Sequence, residues 1–324
     1  MSTKTVTRAK SLNTSATKPV VFIDGEAGTT GLEIRRRLAG VAGLEVKSIA
    51  ADKRKNETAR LALMRQADLV VLCLPDEAAR EAAALMADLG ESGPKVIDAS
   101  SAHRVAQGWV YGFAEMDAGQ PAAIRKAKRV SNPGCYATGA IALIRPLVEA
   151  GLIPADYPVT VNAVSGYSGG GRSMIEAYEA GRAPAFELYG LALQHKHVPE
   201  LQKYSKLELR PILVPSVGNF RQGMLVSVPL HLETLPGKPK ARDLEAALAE
   251  RFAGADLVKV LPTGEAKDGR LDALALNDTD LLQLAVFANE KHRQAVLVAR
   301  LDNLGKGAAG AAVQNIRLML AIAD

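Results

Sequence analysis

The residue best suited to covalent chemistry lies in the segment 131–139, Ser-Asn-Pro-Gly-Cys-Tyr-Ala-Thr-Gly. Cys135 follows the turn pair Pro133-Gly134 and precedes the stretch 137–148, whose apolar spacing predicts a helix. In the first turn of a helix, unpaired backbone N–H groups and the positive dipole end favour a thiolate near neutral pH. The same groups can hold an oxyanion formed by attack on a carbonyl. A buried apolar cysteine is the alternative, but the Asn-Pro-Gly approach and an upstream glycine-rich loop favour a nucleophile.

Two histidines in the segment 194–201, Gln-His-Lys-His-Val-Pro-Glu-Leu, are candidates for its acid/base partner. Pro199 suits the first turn of a helix, which places His197 beside that helix N-terminus. The dipole there lowers the pKa of an imidazole and keeps it neutral, as a general base requires. Spacing does not decide between His195 and His197, and we favour His197; a surface histidine is the alternative. Since no cysteine or third histidine accompanies the pair at ligand spacing, we expect no metal.

A strand, a glycine-rich loop and a helix follow one another in the order that a dinucleotide-binding fold needs. The strand is the apolar run 19–24, the loop is 25–31, Gly-Glu-Ala-Gly-Thr-Thr-Gly, and the helix is 32–38. Glycines let the backbone approach a pyrophosphate at the helix N-terminus. The spacing is G-x-x-G-x-x-G and not G-x-G-x-x-G, so an ordinary strand-to-helix turn is the alternative. The expected cofactor-binding residues are Gly25, Gly28, Thr29, Thr30 and Gly31.

The next strand, 44–50, ends where a residue that reads the ribose is expected. Asp52 alone would suit the 2′-hydroxyl of NAD, whereas Arg54 and its lysine neighbours offer cations for the 2′-phosphate of NADP. Ser48 can add a hydroxyl. We therefore expect NADP, with Ser48 and Arg54 at its phosphate; a solvated charged loop is the alternative.

Two arginines are candidates for binding an anionic substrate. Arg172 follows the segment 165–171, Ser-Gly-Tyr-Ser-Gly-Gly-Gly, whose glycine density is costly to order unless a ligand approaches the backbone. Arg221 lies between the predicted strands 211–216 and 223–232. Either guanidinium can bind a carboxylate or a phosphate with two hydrogen bonds, or can face water.

Composition excludes several functional classes. With 48% hydrophobic and 23% charged residues the chain is ordinary for a globular protein, and no apolar run approaches the roughly 20 residues that span a bilayer. The net charge of +5 is scattered, and aromatic residues make up only 4%, so we expect no nucleic-acid partner. Two cysteines, Cys73 in an apolar strand and Cys135, cannot form a secreted disulfide framework, which favours the cytoplasm.

A chain of 324 residues predicts two domains. Strands alternate with helices up to about residue 149, which predicts an α/β domain with a doubly wound, Rossmann-type sheet. Residues 150–302 are β-rich and predict an α+β catalytic and oligomerisation domain with a mixed sheet. Residues 1–17 are rich in Ser and Thr and lack acidic residues, and we expect a disordered tail.

The segment 131–139 resembles the active-site segment of N-acetyl-gamma-glutamyl-phosphate reductases, which belong with the aspartate-semialdehyde dehydrogenases. The loop 25–31, the turn 112–115 (Gly-Phe-Ala-Glu), the loop 165–172 and the segment 195–200 (His-Lys-His-Val-Pro-Glu) are also similar to that family. The Gly-Thr-Thr-Gly loop resembles its compact subtype. The resemblance implies NADPH-dependent reduction of an acyl phosphate through a cysteine thioester, in arginine biosynthesis, by a homodimer or homotetramer.

The resemblance also implies roles for particular residues. The C-terminal residues 303–324 return to the dinucleotide-binding domain, whose main part is 18–149, and Asn315 lies near the nicotinamide. The residues implied to lie around the acyl phosphate are Ser100, Ser101, Arg104 and Asn132. An aspartate-semialdehyde dehydrogenase, another acyl-phosphate reductase, or a nucleotide-sensing protein without catalysis remain the alternatives.

Overall fold

The computed structural model describes residues 18–264 and 269–322. The predicted tail, residues 1–17, lies outside the described residues. Within the described ranges the strands form two sheets of six and seven strands. No helix in these ranges is both long and apolar enough to cross a membrane.

The first sheet is wholly parallel, with strand order β2-β1-β3-β4-β6-β5. This confirms the predicted doubly wound, Rossmann-type sheet. Alternate residues of β1 feed two cores, with Val21 and Ile23 on one face and Phe22 on the other, as the two-residue period of a strand requires. The strands are β1 Val20–Asp24, β2 Glu45–Lys47, β3 Leu69–Leu72, β4 Lys95–Asp98, β5 Val110–Tyr111 and β6 Arg129–Ser131.

Helices cover both faces of this sheet and the inner face of the second one. Within the described residues they are α1 Thr29–Leu38, α2 Glu57–Gln66, α3 Asp76–Ala87, α4 Gln120–Lys126, α5 Cys135–Glu149, α6 Arg172–Glu179, α7 Val198–Tyr204, α8 Ala241–Arg251 and α9 Gly310–Leu320, with short 3₁₀ turns and a π-helix, Gly305–Ala309. The C-terminal helix α9 packs beside α1 and α4 on the first sheet.

The second sheet is mixed, with strand order β11-β12-β13-β10-β7-β9-β8. This confirms the predicted α+β part of the chain. Its inner face packs against α5, α7 and α8 in one large apolar core. The strands are β7 Thr160–Gly166, β8 Phe186–Leu188, β9 Ile212–Gly218, β10 Met224–His231, β11 Val258–Val260, β12 Leu282–Asn289 and β13 Gln294–Leu301.

Sequence periodicity missed the shortest elements. The strands β5, β6 and β8 have two or three residues each, too few for an alternating pattern to stand out. The helix predicted to begin at Leu32 begins at Thr29, because the loop threonines already belong to its first turn. Periodicity also did not indicate the π-helix Gly305–Ala309.

Candidate active site

The helix α5 begins at Cys135, as the sequence predicts. Its N-cap residue, Gly134, is extended and makes no side-chain cap hydrogen bond, so the first N–H groups are not capped by a side chain. Cys135 is partly buried and lines a cavity of ≈ 160 Å³. The cavity is formed by Cys135, Tyr136, Ser165, Gly166, Gly169, Gly170, Met174, Tyr189, His195, Lys196, His197 and Val217.

The expected thiolate at neutral pH is a prediction that the structure corrects. Burial raises the pKa of Cys135 to about 11, although Arg104 and the backbone N–H of Tyr136 act in the opposite direction. The cost of burying a charge therefore exceeds the benefit of the helix start. Cys135 is then a protonated thiol near neutral pH, and a nucleophilic role for it would require a base.

Both predicted histidines lie in this cavity. His197 is the N-cap residue of α7, and its Nε2 lies 2.5 Å from the point that a Cβ on Gly134 would occupy. The backbone N–H of His197 donates to Nδ1 of His195 at 3.1 Å, and the two rings meet edge to face at 4.6 Å. Within the described residues Nδ1 of His197 is buried and has no hydrogen-bond partner.

The histidines are neutral, as expected, but mainly for another reason. Burial lowers the pKa of His197 well below its ordinary value, and the charge of Arg104 lowers it further. Burial also lowers the pKa of His195, to about 4, with smaller contributions from Lys196 and Arg104. Desolvation and neighbouring cations therefore account for the neutral state that the sequence attributed to the helix dipole.

The carboxylate of Glu200 holds the loop in front of Cys135, a role that sequence reasoning missed. It accepts hydrogen bonds from Arg104 at 2.7 Å, from the Tyr111 hydroxyl at 2.6 Å and from the Gly134 N–H at 3.1 Å. Arg104 also donates to the Asn132 carbonyl at 3.1 Å. Glu200 is 1% exposed, so these bonds are desolvated and fix the approach to α5. The sequence feature that could have indicated this role is the Pro199-Glu200 pair in the first turn of a predicted helix.

The π-helix Gly305–Ala309 packs on the other side of the nucleophile. A Cβ on Gly307 would lie 2.9 Å from Cβ of Cys135, so only glycine allows this approach. Asn132 donates to the Ala308 carbonyl at 2.9 Å and accepts from Asn315 at 3.2 Å. The side chain of Asn132 thus joins the segment before Cys135 to the π-helix, and its predicted role at the substrate stays a prediction.

Asn315, predicted near the nicotinamide, is completely buried in α9. Its amide nitrogen also donates to the Gly112 carbonyl at 2.9 Å. Its Oδ1 has no hydrogen-bond partner among the described residues. The contact between Asn315 and a cofactor stays a prediction, and the structure adds that this side chain ties α9 to the loop after β5.

The serines predicted around the acyl phosphate, Ser100 and Ser101, donate hydrogen bonds to aspartates, and their role at the substrate stays a prediction. Ser100 donates to Asp98 at 2.8 Å, and its hydroxyl accepts the Ala102 N–H at 3.1 Å. Ser101 donates to Asp76 at 2.8 Å. Neither serine lines the cavity around Cys135. Their place at the C-terminal end of β4 is as expected, but their hydroxyls stabilise the turn that follows it.

The three predicted anion-binding arginines also point to other partners. Arg104 is buried and pairs with Glu200. Arg221 is exposed and pairs with Glu179 at 3.0 Å. Arg172 donates to the Ala27 carbonyl in the loop between β1 and α1 at 3.3 Å. None of the three lines the cavity around Cys135, and sequence spacing did not reveal the contacts that they make.

The loop between β1 and α1 has the backbone shape of a dinucleotide site. Gly25 has φ +88°, and a Cβ there would overlap the Cys73 carbonyl. A Cβ on Gly31 would lie 2.6 Å from the Gly25 carbonyl oxygen. Gly28 is the N-cap of α1 and has no side-chain cap, so the N–H groups of Thr29 and Thr30 begin an uncapped helix. These residues fit a pyrophosphate.

The end of β2 carries the predicted ribose site. Ser48 accepts a hydrogen bond from Arg35, which also pairs with Glu26 at 2.7 Å. Arg54 follows a short 3₁₀ turn and is exposed. Sequence reasoning missed Arg35 because it lies on α1, 13 residues before Ser48. The structure thus adds one cation to the predicted group at a 2′-phosphate.

Comparisons with known proteins give the family. A family model described as semialdehyde dehydrogenase, NAD binding domain, matches residues 20–127, and one described as semialdehyde dehydrogenase, dimerisation domain, matches residues 135–303. N-acetyl-gamma-glutamyl-phosphate reductases of Brucella ovis and Brucella canis are 54% identical to the chain over 309 residues, which is 94% of this chain and 99% of each relative.

Solved structures agree on the fold. Aspartate semialdehyde dehydrogenase II from Vibrio cholerae, complexed with ASA, has a TM-score of 0.71 at 16% identity and matches 94% of this chain and 99% of that one. The enzyme from Candida albicans with NADP has a TM-score of 0.61 at 13% identity, over 94% and 100% of the two chains. Since relatives 54% identical cover 94% of the sequence, the chain belongs to the N-acetyl-gamma-glutamyl-phosphate reductase family, within the semialdehyde dehydrogenases.

Proposed function

We propose that the chain reduces N-acetyl-gamma-glutamyl phosphate to N-acetylglutamate semialdehyde and phosphate with NADPH, a step of arginine biosynthesis. The observation that carries the proposal is the cavity that Cys135 shares with His195 and His197, at the uncapped start of α5. A thiol, a neutral imidazole and free backbone N–H groups are the parts that acyl transfer through a thioester requires. The family membership supplies the substrate.

In the first half of the reaction Cys135 becomes acylated. A histidine takes the thiol proton, because the pKa of Cys135, about 11, leaves little thiolate near neutral pH. The sulfur attacks the acyl carbon, and the first N–H groups of α5 stabilise the oxyanion. Phosphate departs and leaves a thioester on Cys135. We assign the proton transfer to His197, which is the more buried of the two histidines and lies against Gly134.

In the second half the thioester is converted to the aldehyde. NADPH supplies the hydride that this reduction needs. The same oxyanion groups at the start of α5 hold the thiohemiacetal oxygen, and His197 protonates that oxygen or the departing sulfur. Glu200, Arg104 and Asn132 are joined by hydrogen bonds and keep Cys135 in place through both halves of the reaction. None of the three lines the cavity, so they position Cys135 without entering the space for the substrate.

The dinucleotide is proposed to bind on the loop between β1 and α1. Gly25, Gly28 and Gly31 let the pyrophosphate approach the backbone, and Thr29 and Thr30 offer N–H groups. NADP is favoured over NAD because Ser48, which accepts a hydrogen bond from Arg35, follows β2, and the exposed cation Arg54 comes shortly after it along the chain.

The protein is an oligomer in this proposal, either a homodimer or a homotetramer. The outer face of the second sheet is uncovered by any helix among the described residues and carries apolar side chains, with Phe186 57% exposed and Ile212 45% exposed. A groove of ≈ 710 Å³ crosses this face. A second copy is the occupant that the dimerisation-domain match supports.

Both cysteines are free thiols, so we assign the protein to the reducing cytoplasm.

The test is the reverse reaction, in which NADPH formation is followed with N-acetylglutamate semialdehyde, phosphate and NADP. Turnover with this aldehyde, and not with aspartate semialdehyde, is the expected result. NAD in place of NADP is expected to give a higher KM. Turnover with aspartate semialdehyde alone would move the protein to the sister activity. Inactivity with both aldehydes would contradict the proposal.

A further inference from the structure

The cavity around Cys135 contains one lysine and no arginine among the side chains that form it within residues 18–264 and 269–322. We propose that Lys196 binds an anionic group of the substrate. The group is an oxyanion, either the phosphoryl group or the carboxylate of the acyl chain. This inference rests on the proposed function, because it takes the substrate to be a carboxylated acyl phosphate.

The first support is the absence of a rival cation. The substrate carries several negative charges, and a cavity that receives it needs a positive charge. Arg104 is buried and paired with Glu200, whereas Arg221 and Arg172 lie outside the cavity, where they contact Glu179 and the Ala27 carbonyl. The sequence predicted these three arginines as anion ligands, and none of them lines the cavity.

The second support is the state of Lys196 itself. It lies between His195 and His197 in sequence and is exposed, whereas both histidines are more buried. Lys196 forms no hydrogen bond and no ion pair in the part of the chain that the structure describes. A lysine ammonium on its flexible stem acts as a movable point charge, which suits an anion that enters and leaves.

The third support is the electrostatic influence of Lys196 on the site. Its charge lowers the pKa of both His195 and His197, although burial is the larger cause in each case. It also acts on Asp76 at the start of α3, whose pKa is lowered mainly through its hydrogen bonds with Ser101 against the effect of burial. The ammonium therefore lies within electrostatic reach of both histidines and of Asp76 at the start of α3.

The reverse reaction separates the two sources of the anion, because phosphate and the carboxylated aldehyde are then different molecules. The variant is Lys196→Met, which keeps the length of the side chain and removes its charge. We expect its KM for phosphate, or its KM for N-acetylglutamate semialdehyde, to rise by about tenfold to a hundredfold, as for a lost charge-assisted hydrogen bond. The KM for NADP is expected to change by less than about twofold, well below the roughly tenfold or larger change expected for the anion.

Two variants act as controls. Lys196→Arg keeps the charge and is expected to recover most of the lost affinity. Lys291→Met removes the same charge from an exposed turn between β12 and β13 and is expected to leave both KM values unchanged. A raised KM for phosphate assigns Lys196 to the phosphoryl group, and a raised KM for the aldehyde assigns it to the carboxylate. Unchanged KM values for both would overturn the inference.

A second measurement does not depend on turnover. Cys135 is alkylated with iodoacetamide in the presence of inorganic phosphate or N-acetylglutamate. One of these anions is expected to protect Cys135 in the wild-type protein and to protect it at least about tenfold more weakly in Lys196→Met. Equal protection in both proteins, or none in the wild type, would contradict the role of Lys196. If the wild type fails to turn over but shows this difference, the proposed substrate fails and the anion site stands.

Discussion

At Cys135 two physical effects oppose each other. The helix start and the nearby Arg104 stabilise a thiolate, whereas burial beside the core of the second sheet destabilises it. Burial wins and raises the pKa of the thiol to about 11. In the proposed mechanism a base therefore activates Cys135 during the reaction, and the protonated thiol is less prone to adventitious oxidation than a thiolate.

The first prediction concerns the pH dependence of this thiol. Since the thiolate fraction still rises steeply with pH while the pH lies below the pKa, alkylation of Cys135 by iodoacetamide is expected to accelerate continuously up to about pH 10 in the protein without substrate. Mass spectrometry of the Cys135 peptide measures the rate. Cys135→Ser gives the background from Cys73, whose pKa burial raises to about 12. A rate that levels off below pH 8 would contradict the raised pKa.

The second prediction separates the two histidines. We expect His197→Asn to lower kcat by about a hundredfold to ten-thousandfold, the usual contribution of a general acid/base. His195→Asn is expected to have a smaller effect, because His195 mainly positions His197 through its Nδ1. NADPH binding, followed by fluorescence, serves as the control for folding in both variants. The opposite order of the two kcat values would assign the proton transfer to His195.

At the scale of elements, a buried ion pair fixes the π-helix against the loop after β5. Lys306 is 1% exposed, and its ammonium lies 2.7 Å from both carboxylate oxygens of Glu115 and 2.8 Å from Gln314. Burial alone would raise the pKa of Glu115, but Lys306 and Gln314 hold it below its ordinary value. Because Gly307 in the same π-helix touches Cys135, this pair also positions the nucleophile.

The third prediction tests that ion pair. Lys306→Met leaves a buried carboxylate without its cation and is expected to lower the free energy of unfolding by about 3 to 5 kcal/mol at pH 7. Urea unfolding measures the change. Replacing Glu115 by Gln in the same protein is expected to recover part of the loss, because the uncompensated charge is then absent. A loss below about 1 kcal/mol would place the pair among weak surface ion pairs.

The sign of the pH dependence follows from the lowered pKa of Glu115. The pair stabilises the wild type fully above the ordinary glutamate pKa, and this contribution is lost as pH falls through the lowered pKa of the folded state. In Lys306→Met the buried carboxyl group is protonated more readily, so in acid the variant no longer contains an unpaired buried charge. The difference in unfolding free energy between the two proteins is therefore expected to shrink from pH 7 to pH 4.

At the scale of the whole molecule, the two sheets differ in how they are covered. The first has helices on both faces, as a parallel sheet requires. Among the residues that the structure describes, the second has α5, α7 and α8 on its inner face and no helix on its outer face. Its outer face exposes a row of apolar side chains on β8, β9 and β13, which is the composition of a surface that another subunit covers.

The fourth prediction tests this surface as the subunit interface. Phe186 is 57% exposed and Val296 is 37% exposed on the outer face, and a double Phe186→Lys, Val296→Lys variant is expected to be monomeric, because charges are then desolvated in the interface. Light scattering after size-exclusion chromatography measures the mass. Leu32→Lys changes a residue 53% exposed on α1 and is expected to leave the mass unchanged. An unchanged oligomer in the double variant would locate the interface elsewhere.

The sequence by itself determined the features that depend on local pattern. Apolar runs and their breaks predicted the parallel sheet, the glycine loop before α1, the β-rich second part and the start of α5 at Cys135. These were legible because strand and helix periods, turn residues and helix starts are set by neighbours within a few residues. The resemblance added the substrate class, which no periodicity contains.

Only the tertiary structure decided which side chains face the cavity and what charge they carry. Glu200 meets Arg104 across 96 residues and Gly134 across 66, and Lys306 meets Glu115 across 191. In the folded chain Arg104 pairs with Glu200 outside the cavity and Lys196 lines it, and burial raises the pKa of the Cys135 thiol. Charge pairing depends on distance in space, and desolvation depends on the exclusion of water. The partners lie far apart in the sequence, so local sequence patterns contain neither quantity.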